Sequence, residues 1–329
     1  MNIASAVRKG AFVAIASVGI AGPASAADPV KATMYLDFLV NGYHAPFYLA
    51  VEKGWYKDAG LDITVSPGKG TADSIKTVGT NNAEFGFPDL GAAAKAISEG
   101  IPITAVAAIL QDTPSGIISF ADKPIKAPKD LEGKSIAVAP FGATAILLPA
   151  FAKKNNIDMT KVNTVTYNFG AMVPSVLTNK VDSTIGYYFG EYLAAKTESK
   201  NKEVLFMSFA KNGVASYSNG IVVNNAFMAA KPDAVAAFVK TSLKAVQYTI
   251  DHVDEAIAAT AKHTETPAAT LKQQLVLALE FVNTPEAKKN GFGVMTAERW
   301  ASTQAVQVEF GQQKERAPDD KLFTNKFVK

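Results

Sequence analysis

Two contrasting hydrophobic patterns stand near the start of the chain, directly after an apolar leader. Over residues 31–38, Met34, Leu36 and Phe38 alternate with Tyr35 and Asp37, which predicts a β-strand whose end carries a carboxylate. Residues 44–56 instead place apolar side chains at four-residue spacing, which predicts a helix. A strand followed at once by a helix is the repeating unit of α/β folds.

The alternation of strand and helix continues to about residue 110. The pattern predicts strands over 61–65, 84–87 and 103–110, and helices over 71–78 and 90–98. Strands that alternate with helices in this way form sheets of parallel strands, and the helices cover the faces of the sheet.

A polar segment with two prolines, residues 124–134, leads into a second series of elements. That series has predicted strands over 135–139, 163–167, 183–188 and 204–208, and predicted helices over 143–154 and 172–178. After Gly220, a strand over 221–223 leads only into helices, over 232–262, 267–283 and 297–312. This tail has no sheet of its own, so we expect it to pack on the first lobe, with two chain crossings that form a hinge. The predicted lobes are 27–118 with 220–329, and 119–219.

The leader has the pattern of a secretory signal peptide. Arg8 and Lys9 precede an uncharged, mostly apolar run over 11–21, Pro23 ends that run, and small residues over 24–26 predict cleavage before Ala27. The alternative is a membrane anchor, but a helix needs roughly 18 to 20 apolar residues to cross a bilayer. We therefore predict a signal peptide over residues 1–26 and export to the periplasm.

Composition narrows the function further. The 329-residue chain has no cysteine, which excludes a lipidated cysteine anchor, thiol nucleophiles and cysteine-ligated metal sites. Its 33 basic and 30 acidic residues give a net charge of +3. That small charge gives no sign of nucleic-acid binding, and we expect a monomer with neither a cofactor nor a metal.

Candidate ligand contacts lie where predicted strands end, because ligands of open α/β sheets bind outside the carboxyl ends of the strands. The candidates are Asp37, Phe38, Asn41, His44, Pro88, Asp89, Phe141, Gly142, Thr144, Phe169, Tyr187, Tyr188 and Glu191. Aromatic, carboxylate and amide groups dominate this set, and it contains no arginine. Such a site suits a flat, neutral or cationic heterocycle better than an anion, which would call for arginine.

Several of these residues have an alternative, structural interpretation. Asp37 could cap the loop after its strand, and His44 could be a solvated residue at a helix start. Tyr187 and Tyr188 point to opposite faces of a strand, so one of them is expected to be buried packing. The two carboxylates, Asp37 and Glu191, would accept hydrogen bonds from amine or ring N–H groups of a ligand.

Longer motifs resemble those of a known family. Residues 36–62 run from a strand through aspartate, aromatic, asparagine and histidine residues into a helix that ends in Lys-Gly-Trp, and Gly-Leu-Asp follows. This stretch resembles the opening of the NMT1/THI5-like solute-binding proteins. The segments 130–134, 181–191 and 213–217 look like later motifs of the branch that binds thiamine-precursor pyrimidines.

The resemblance implies a type II periplasmic binding protein fold and a role in ABC import, with a permease and an ATPase as partners. It also implies a hydroxymethyl- or formylamino-pyrimidine ligand, held by Asp37, Asn41, His44 and Glu191. Relatives of this fold bind alkanesulfonates, nitrate, riboflavin and other aromatic compounds, so those ligands stay open. The family includes a pyrimidine synthase that relies on a cysteine-rich motif, and the absence of cysteine here argues for a binding protein rather than an enzyme.

Overall fold

The computed structural model describes residue 1 and residues 28–140, 142–200, 202–309 and 313–328. The predicted signal peptide with its cleavage site, and the candidate Phe141, therefore lie outside the described residues. Within the described ranges, no helix is both long enough and apolar enough to span a membrane.

The described chain forms two five-stranded sheets with helices packed on them. The strands are β1 (Val30–Tyr35), β2 (Leu61–Ser66), β3 (Phe85–Gly86), β4 (Ile103–Ala108), β5 (Ser115–Phe120), β6 (Ser135–Val138), β7 (Asn163–Thr166), β8 (Ser183–Tyr187), β9 (Val204–Ser208) and β10 (Gly220–Asn224). The α-helices are α1 (Ala45–Glu52), α2 (Trp55–Asp58), α3 (Thr71–Gly79), α4 (Leu90–Ser98), α5 (Ala143–Lys154), α6 (Phe169–Leu177), α7 (Glu191–Glu198), α8 (Asn225–Ala230), α9 (Pro232–Asp251), α10 (Val253–Thr260), α11 (Ala268–Val282), α12 (Pro285–Asn290), α13 (Ala297–Glu309) and α14 (Asp319–Leu322). Short 3-10 helices cover Gly42–His44, Pro128–Leu131, Met159–Lys161, Ala210–Asn212 and Ala261–His263.

The first sheet has the strand order β2-β1-β3-β10-β4, and the second has the order β7-β6-β8-β5-β9. We call each sheet with the helices that cover it a lobe. The expected parallel pairing holds for β1 with β2 and β3, and for β6 with β7 and β8. By contrast, β10 and β5 run antiparallel to both of their neighbours. Before each of these two strands the chain passes from one lobe to the other. The strand therefore enters its new sheet from the end at which the parallel strands finish, and it runs in the opposite direction.

The first crossing lies earlier than the sequence predicted. Strand β5 pairs with β8 and β9, so Ser115–Phe120 belongs to the second sheet, and the predicted boundary between residues 118 and 119 falls inside this strand. The sequence pattern missed β5 because its residues, Ser-Gly-Ile-Ile-Ser-Phe, neither alternate between apolar and polar nor form a continuous apolar run like that of β4, which is equally buried. The remaining extent of each lobe stays a prediction.

The helical tail packs back on the first lobe, as expected. Helices α9 and α10 contact α1, and α11 contacts the 3-10 helix Gly42–His44. A Cβ atom on Gly42 would lie only 2.1 Å from the carbonyl oxygen of Leu271, so this close approach requires glycine. Helix α13 also contacts α5 of the second lobe in addition to α4 of the first. The tail therefore covers the first lobe and touches both.

Two predicted helices are shorter than expected. The predicted helix 44–56 is divided at Gly54, whose left-handed backbone, with a φ of 71°, ends the helical conformation between α1 and α2. The predicted helix 232–262 is divided at His252 into α9 and α10. Helix α7 was not predicted, and it starts at Glu191, one of the candidate ligand contacts.

Candidate functional site

A cavity lies between the two lobes, where β1 and β8 end and where α3 and α5 begin. It encloses about 560 Å³, including the space that opens to solvent at its mouth. Its lining residues are Asp37, Phe38, Asn41, Tyr43, Gly70, Thr71, Gly142, Ala143, Thr144, Phe169, Tyr187, Phe189, Gly190 and Glu191. Both lobes contribute side chains, so closure of the lobes would shape the cavity.

Eight of the candidates chosen from sequence line this cavity: Asp37, Phe38, Asn41, Gly142, Thr144, Phe169, Tyr187 and Glu191. Six lining residues were not predicted from the sequence: Tyr43, Gly70, Thr71, Ala143, Phe189 and Gly190. Most of these are direct chain neighbours of a predicted contact. The rule that ligands bind at strand ends could therefore have found them if it had been applied to whole loops.

Asp37 is the centre of a buried hydrogen-bond network. Its Oδ1 accepts from Nε2 of His44 at 2.8 Å, and the hydroxyl of Tyr43 donates to both carboxylate oxygens, at 3.0 and 2.9 Å. Burial, and next to it the carboxylate of Asp37, raise the pKa of Tyr43 well above its usual value, so the phenol keeps the proton that it donates. Asp37 is 5% exposed. Both carboxylate oxygens therefore receive hydrogen bonds from buried protein donors.

His44 has a defined tautomer within this network. The backbone N–H of Asn41 donates to Nδ1 of His44 at 3.1 Å, so the ring proton lies on Nε2 and points to Asp37. The ring is fully buried and does not line the cavity. The structure therefore places His44, a predicted ligand contact, behind the cavity wall, and it contradicts the alternative of a solvated ring. His44 instead orients the carboxylate of Asp37.

Asn219, which the sequence analysis did not select, is also part of the network. Its Nδ2 donates to Oδ2 of Asp37 at 3.0 Å and to the carbonyl of Phe87 at 2.9 Å. Its Oδ1 accepts from the hydroxyl of Tyr187 at 3.2 Å. No local sequence signal marks Asn219, because it lies 182 residues from Asp37 in the chain.

Aromatic rings from both lobes form the cavity walls. Phe38 of the first lobe meets Phe169 of the second edge to face, with ring centroids 4.9 Å apart. Tyr43 packs tilted against Phe189 at 4.8 Å, and Phe189 in turn meets Tyr187 at 5.4 Å. These ring faces provide apolar, polarisable surface for a planar ligand.

Two of the lining residues, Asn41 and Glu191, carry hydrogen-bond acceptors. Oδ1 of Asn41 is buried and has no hydrogen-bond partner among the described residues. Glu191 uses Oε2 to accept from the backbone N–H of Tyr187 at 2.8 Å. Burial raises the pKa of Glu191, and the Tyr187 N–H partly offsets this rise. An N–H group of a ligand would satisfy these acceptors.

Hydrogen-bond donors come from two helix N-termini. Helix α3 begins after Gly70 and α5 begins after Gly142, and in neither helix does the N-cap residue accept a hydrogen bond with its side chain. The first backbone N–H groups of both helices therefore have no side-chain cap and lie beside the cavity. A carbonyl, hydroxyl or anionic oxygen of a ligand could accept from them.

Three further predicted contacts lie away from the cavity. Pro88 and Asp89 do not line it, and Asp89 caps α4 by accepting from the backbone N–H of Ala92 at 3.0 Å. Tyr188 lines a separate open groove beside β9, where its ring stacks on Tyr192. The strand twists and ends at Tyr187, so only Tyr187 of the two tyrosines reaches the cavity. Among the described residues, no group of three or more His, Asp or Glu side chains could hold a metal ion.

Comparison with known proteins agrees with the resemblance seen in the sequence. Riboflavin-binding protein RibY of Chloroflexus aurantiacus is 25% identical over 324 residues, which cover 95% of this chain and 91% of that protein. The formylaminopyrimidine-binding protein of Halalkalibacterium halodurans is 22% identical, over 88% of this chain and 87% of that protein. A 4-amino-5-hydroxymethyl-2-methylpyrimidine phosphate synthase of Candida albicans is 28% identical over 69% of each chain.

Solved structures confirm the fold. The periplasmic aliphatic sulphonate binding protein SsuA of Escherichia coli superposes with a TM-score of 0.68, over 89% of this chain and 91% of that one. Its sequence identity is 14%, so this likeness concerns the fold alone. The predicted type II periplasmic binding protein fold is therefore confirmed.

The family model described as NMT1/THI5 like matches residues 41–256, which is more than half of the 329-residue chain and includes most of the cavity lining. The chain belongs to the NMT1/THI5-like family.

Proposed function

We propose that this protein is the periplasmic substrate-binding component of an ABC importer and that it captures a small planar heterocycle between its lobes. The observation that carries the proposal is the cavity between the lobes, which is walled by aromatic rings from both sides. None of the described residues that line it is lysine or arginine. A neutral or weakly basic ring fits these walls better than a strong anion does.

A hydroxymethyl- or formylamino-pyrimidine fits the arrangement of donors and acceptors. Its amine and amide N–H groups would bind Oδ1 of Asn41 and the carboxyl group of Glu191. Its hydroxyl or formyl oxygen would accept from the N–H groups at the start of α5. The ring would lie against Phe38, Phe169 and Tyr187, and each such ring contact contributes about 1 to 3 kcal/mol.

Capture and delivery would follow from the two-lobe fold. The ligand contacts are divided between the lobes, so the ligand binds the closed arrangement better than the open one and shifts the population towards it. The permease and the ATPase of the importer would respond to the closed form. Export to the periplasm would depend on the signal peptide predicted over residues 1–26.

An oxygen-rich or larger ligand is the alternative within the same role. The uncapped helix N-termini of α3 and α5 favour an anionic oxygen. The relative RibY is named for riboflavin and the structural neighbour SsuA for aliphatic sulphonates. The absence of cationic side chains from the described lining argues against a sulfonate or nitrate, because these anions carry a full charge.

A thermal-shift panel tests the ligand class. Formylaminopyrimidine, hydroxymethylpyrimidine, riboflavin, methanesulfonate and nitrate are each titrated, and the correct ligand raises the melting temperature with its concentration. We expect the pyrimidines to do so. If only an anion or riboflavin raised the melting temperature, the pyrimidine assignment would be wrong, while the binding role would stand.

Two matched variants of α7 test the site itself. Glu191→Gln keeps the shape of the side chain but removes the acidic group, and we expect a 10- to 100-fold weaker affinity, the range of a hydrogen bond to a charged partner. Glu198→Gln, at the exposed end of the same helix, is the control and should bind as the wild type does. Equal affinities for the two variants in calorimetry would exclude Glu191 from the site.

We also propose that the protein is not an enzyme, although synthases are among its relatives. Protein incubated with formylaminopyrimidine and then denatured should release that compound unchanged, as judged by mass spectrometry. A converted product would support a pyrimidine-processing enzyme instead.

A further inference from the structure

Asn219 joins the two lobes beside the proposed ligand site. It lies in the first lobe, where its backbone carbonyl accepts from the N–H groups of Ile109 and Leu110. Tyr187 lies at the end of β8 in the second lobe. The hydrogen bond from the Tyr187 hydroxyl to Oδ1 of Asn219, at 3.2 Å, therefore crosses from one lobe to the other.

The amide group of Asn219 has only one orientation that fits its surroundings. On its Nδ2 side lie two acceptors, the carboxylate of Asp37 and the carbonyl of Phe87. On its Oδ1 side lie two donors, the hydroxyls of Tyr187 and Ser218. Asn219 is fully buried, so each of these bonds forms without competition from water.

We propose that Asn219 is a latch that links Asp37 of the first lobe to Tyr187 of the second and favours the closed arrangement of the lobes both with and without ligand. Asn219 does not line the cavity, so it acts through two residues that do. The latch rests on the proposed binding function, because its purpose is to set how readily the lobes close on the ligand and how slowly they open again.

Phe38 with Phe169, and α13 with α5, also connect the lobes, but a further contact lies directly beside the latch and must be separated from it. The ring of Phe189 comes from the second lobe but is fully buried in the hydrophobic core of the first, against Tyr43. Its burial alone would hold the turn between β8 and α7 against the first lobe. Tyr187→Phe removes only the hydroxyl and leaves both the Tyr187 ring and Phe189 in place, so it tests the hydrogen bond without disturbing the apolar contact.

Distances between spin labels on the two lobes report closure directly. The chain has no cysteine, so Lys69→Cys at the cleft side of the first lobe and Thr166→Cys in β7 of the second provide two unique, exposed labelling sites. In the free protein, we expect Tyr187→Phe to lower the ratio of closed to open molecules about fivefold, the factor that a neutral hydrogen bond contributes. Asn219→Leu, which removes the acceptor of the Tyr187 hydroxyl, should lower this ratio at least as far.

Tyr188→Phe is the matched control. It removes a neighbouring tyrosine hydroxyl that donates no hydrogen bond within the described structure, and it should leave the distance distribution unchanged. The latch is disproved if wild type and Tyr187→Phe give the same distribution, including the case in which both are entirely open.

Because this measurement uses no ligand, its failure is distinct from a failure of the proposed function. With formylaminopyrimidine added, the latch further predicts about fivefold faster dissociation from Tyr187→Phe in stopped-flow measurements. If the free protein behaved as expected but the pyrimidine did not bind, the latch would stand and the ligand assignment would fall.

Discussion

Asp89 provides a quantitative test of the geometry around the cavity. Its carboxyl group is buried at the N-terminus of α4, where Oδ1 accepts from the N–H of Ala92 while Oδ2 has no hydrogen-bond partner among the described residues. Burial raises the pKa of Asp89 from its ordinary value of 3.8 to about 6, despite the opposing effect of the Ala92 N–H. The folded protein therefore holds a proton that the unfolded chain releases.

The sign and size of the effect follow by linkage. Between pH 3.8 and about 6 the folded state binds more protons than the unfolded state, so the free energy of unfolding falls as the pH rises through this window. One pKa unit corresponds to ~1.36 kcal/mol, so the shift at Asp89 destabilises the fold by about 3 kcal/mol once its carboxyl is ionised. Asp89→Asn keeps an oxygen that can cap α4 but cannot ionise.

The assay is urea unfolding of wild type and Asp89→Asn at several pH values from 4 to 7. We expect the stability of the variant relative to wild type to rise by about 2 kcal/mol over this range, because part of the effect lies below pH 4. Asp233→Asn, which removes an exposed aspartate from the first turn of α9, is the control. If the free energies of unfolding of wild type and Asp89→Asn changed with pH in the same way, the reasoning would be refuted. A large loss of ligand affinity in Asp89→Asn would likewise contradict the placement of Asp89 outside the cavity.

Three further substitutions test individual contacts. Phe169→Ala removes the ring that faces Phe38, and calorimetry should show an affinity 5- to 150-fold weaker, as expected for the loss of about 1 to 3 kcal/mol of ring stacking. Asn41→Ala removes the unpartnered acceptor, so the affinity for a pyrimidine should fall about 5-fold or more. The melting temperature of the free protein should stay unchanged or rise. Gly42→Ala should lower the free energy of unfolding by about 1 to 3 kcal/mol, because its Cβ would collide with the backbone at Leu271; an unchanged value would mean that α11 can move away freely.

Local pattern was sufficient for most of the secondary structure. The predicted helices 90–98 and 143–154 agree with α4 and α5, and the predicted strand 204–208 agrees with β9. These segments have clear periodicity and clear end signals, such as the glycine before α5. The strand β5 and the helix α7 lack a clear periodicity, and both were missed.

The candidate site was predicted in outline for a related reason. The rule that ligands bind at the carboxyl ends of strands needs only the order of strands and loops, and it selected Asp37, Asn41, Phe169 and Glu191 correctly as cavity-lining residues. It could not distinguish a residue that faces the cavity from one that stands behind it. His44 and Asp89 follow the same rule, yet both are buried and neither lines the cavity.

The sequence by itself determined the family, the α/β class and the neighbourhood of the site, because these follow from short-range patterns and motifs. Only the tertiary structure decided which side chains meet. Asp37 lies 182 residues from Asn219 in the chain, and Tyr187 comes from the other sheet. Polar atoms of both nevertheless lie within 3.2 Å of the side-chain amide of Asn219. Such a contact depends on the twist, register and packing of two sheets together, and no local pattern in a single chain encodes that geometry.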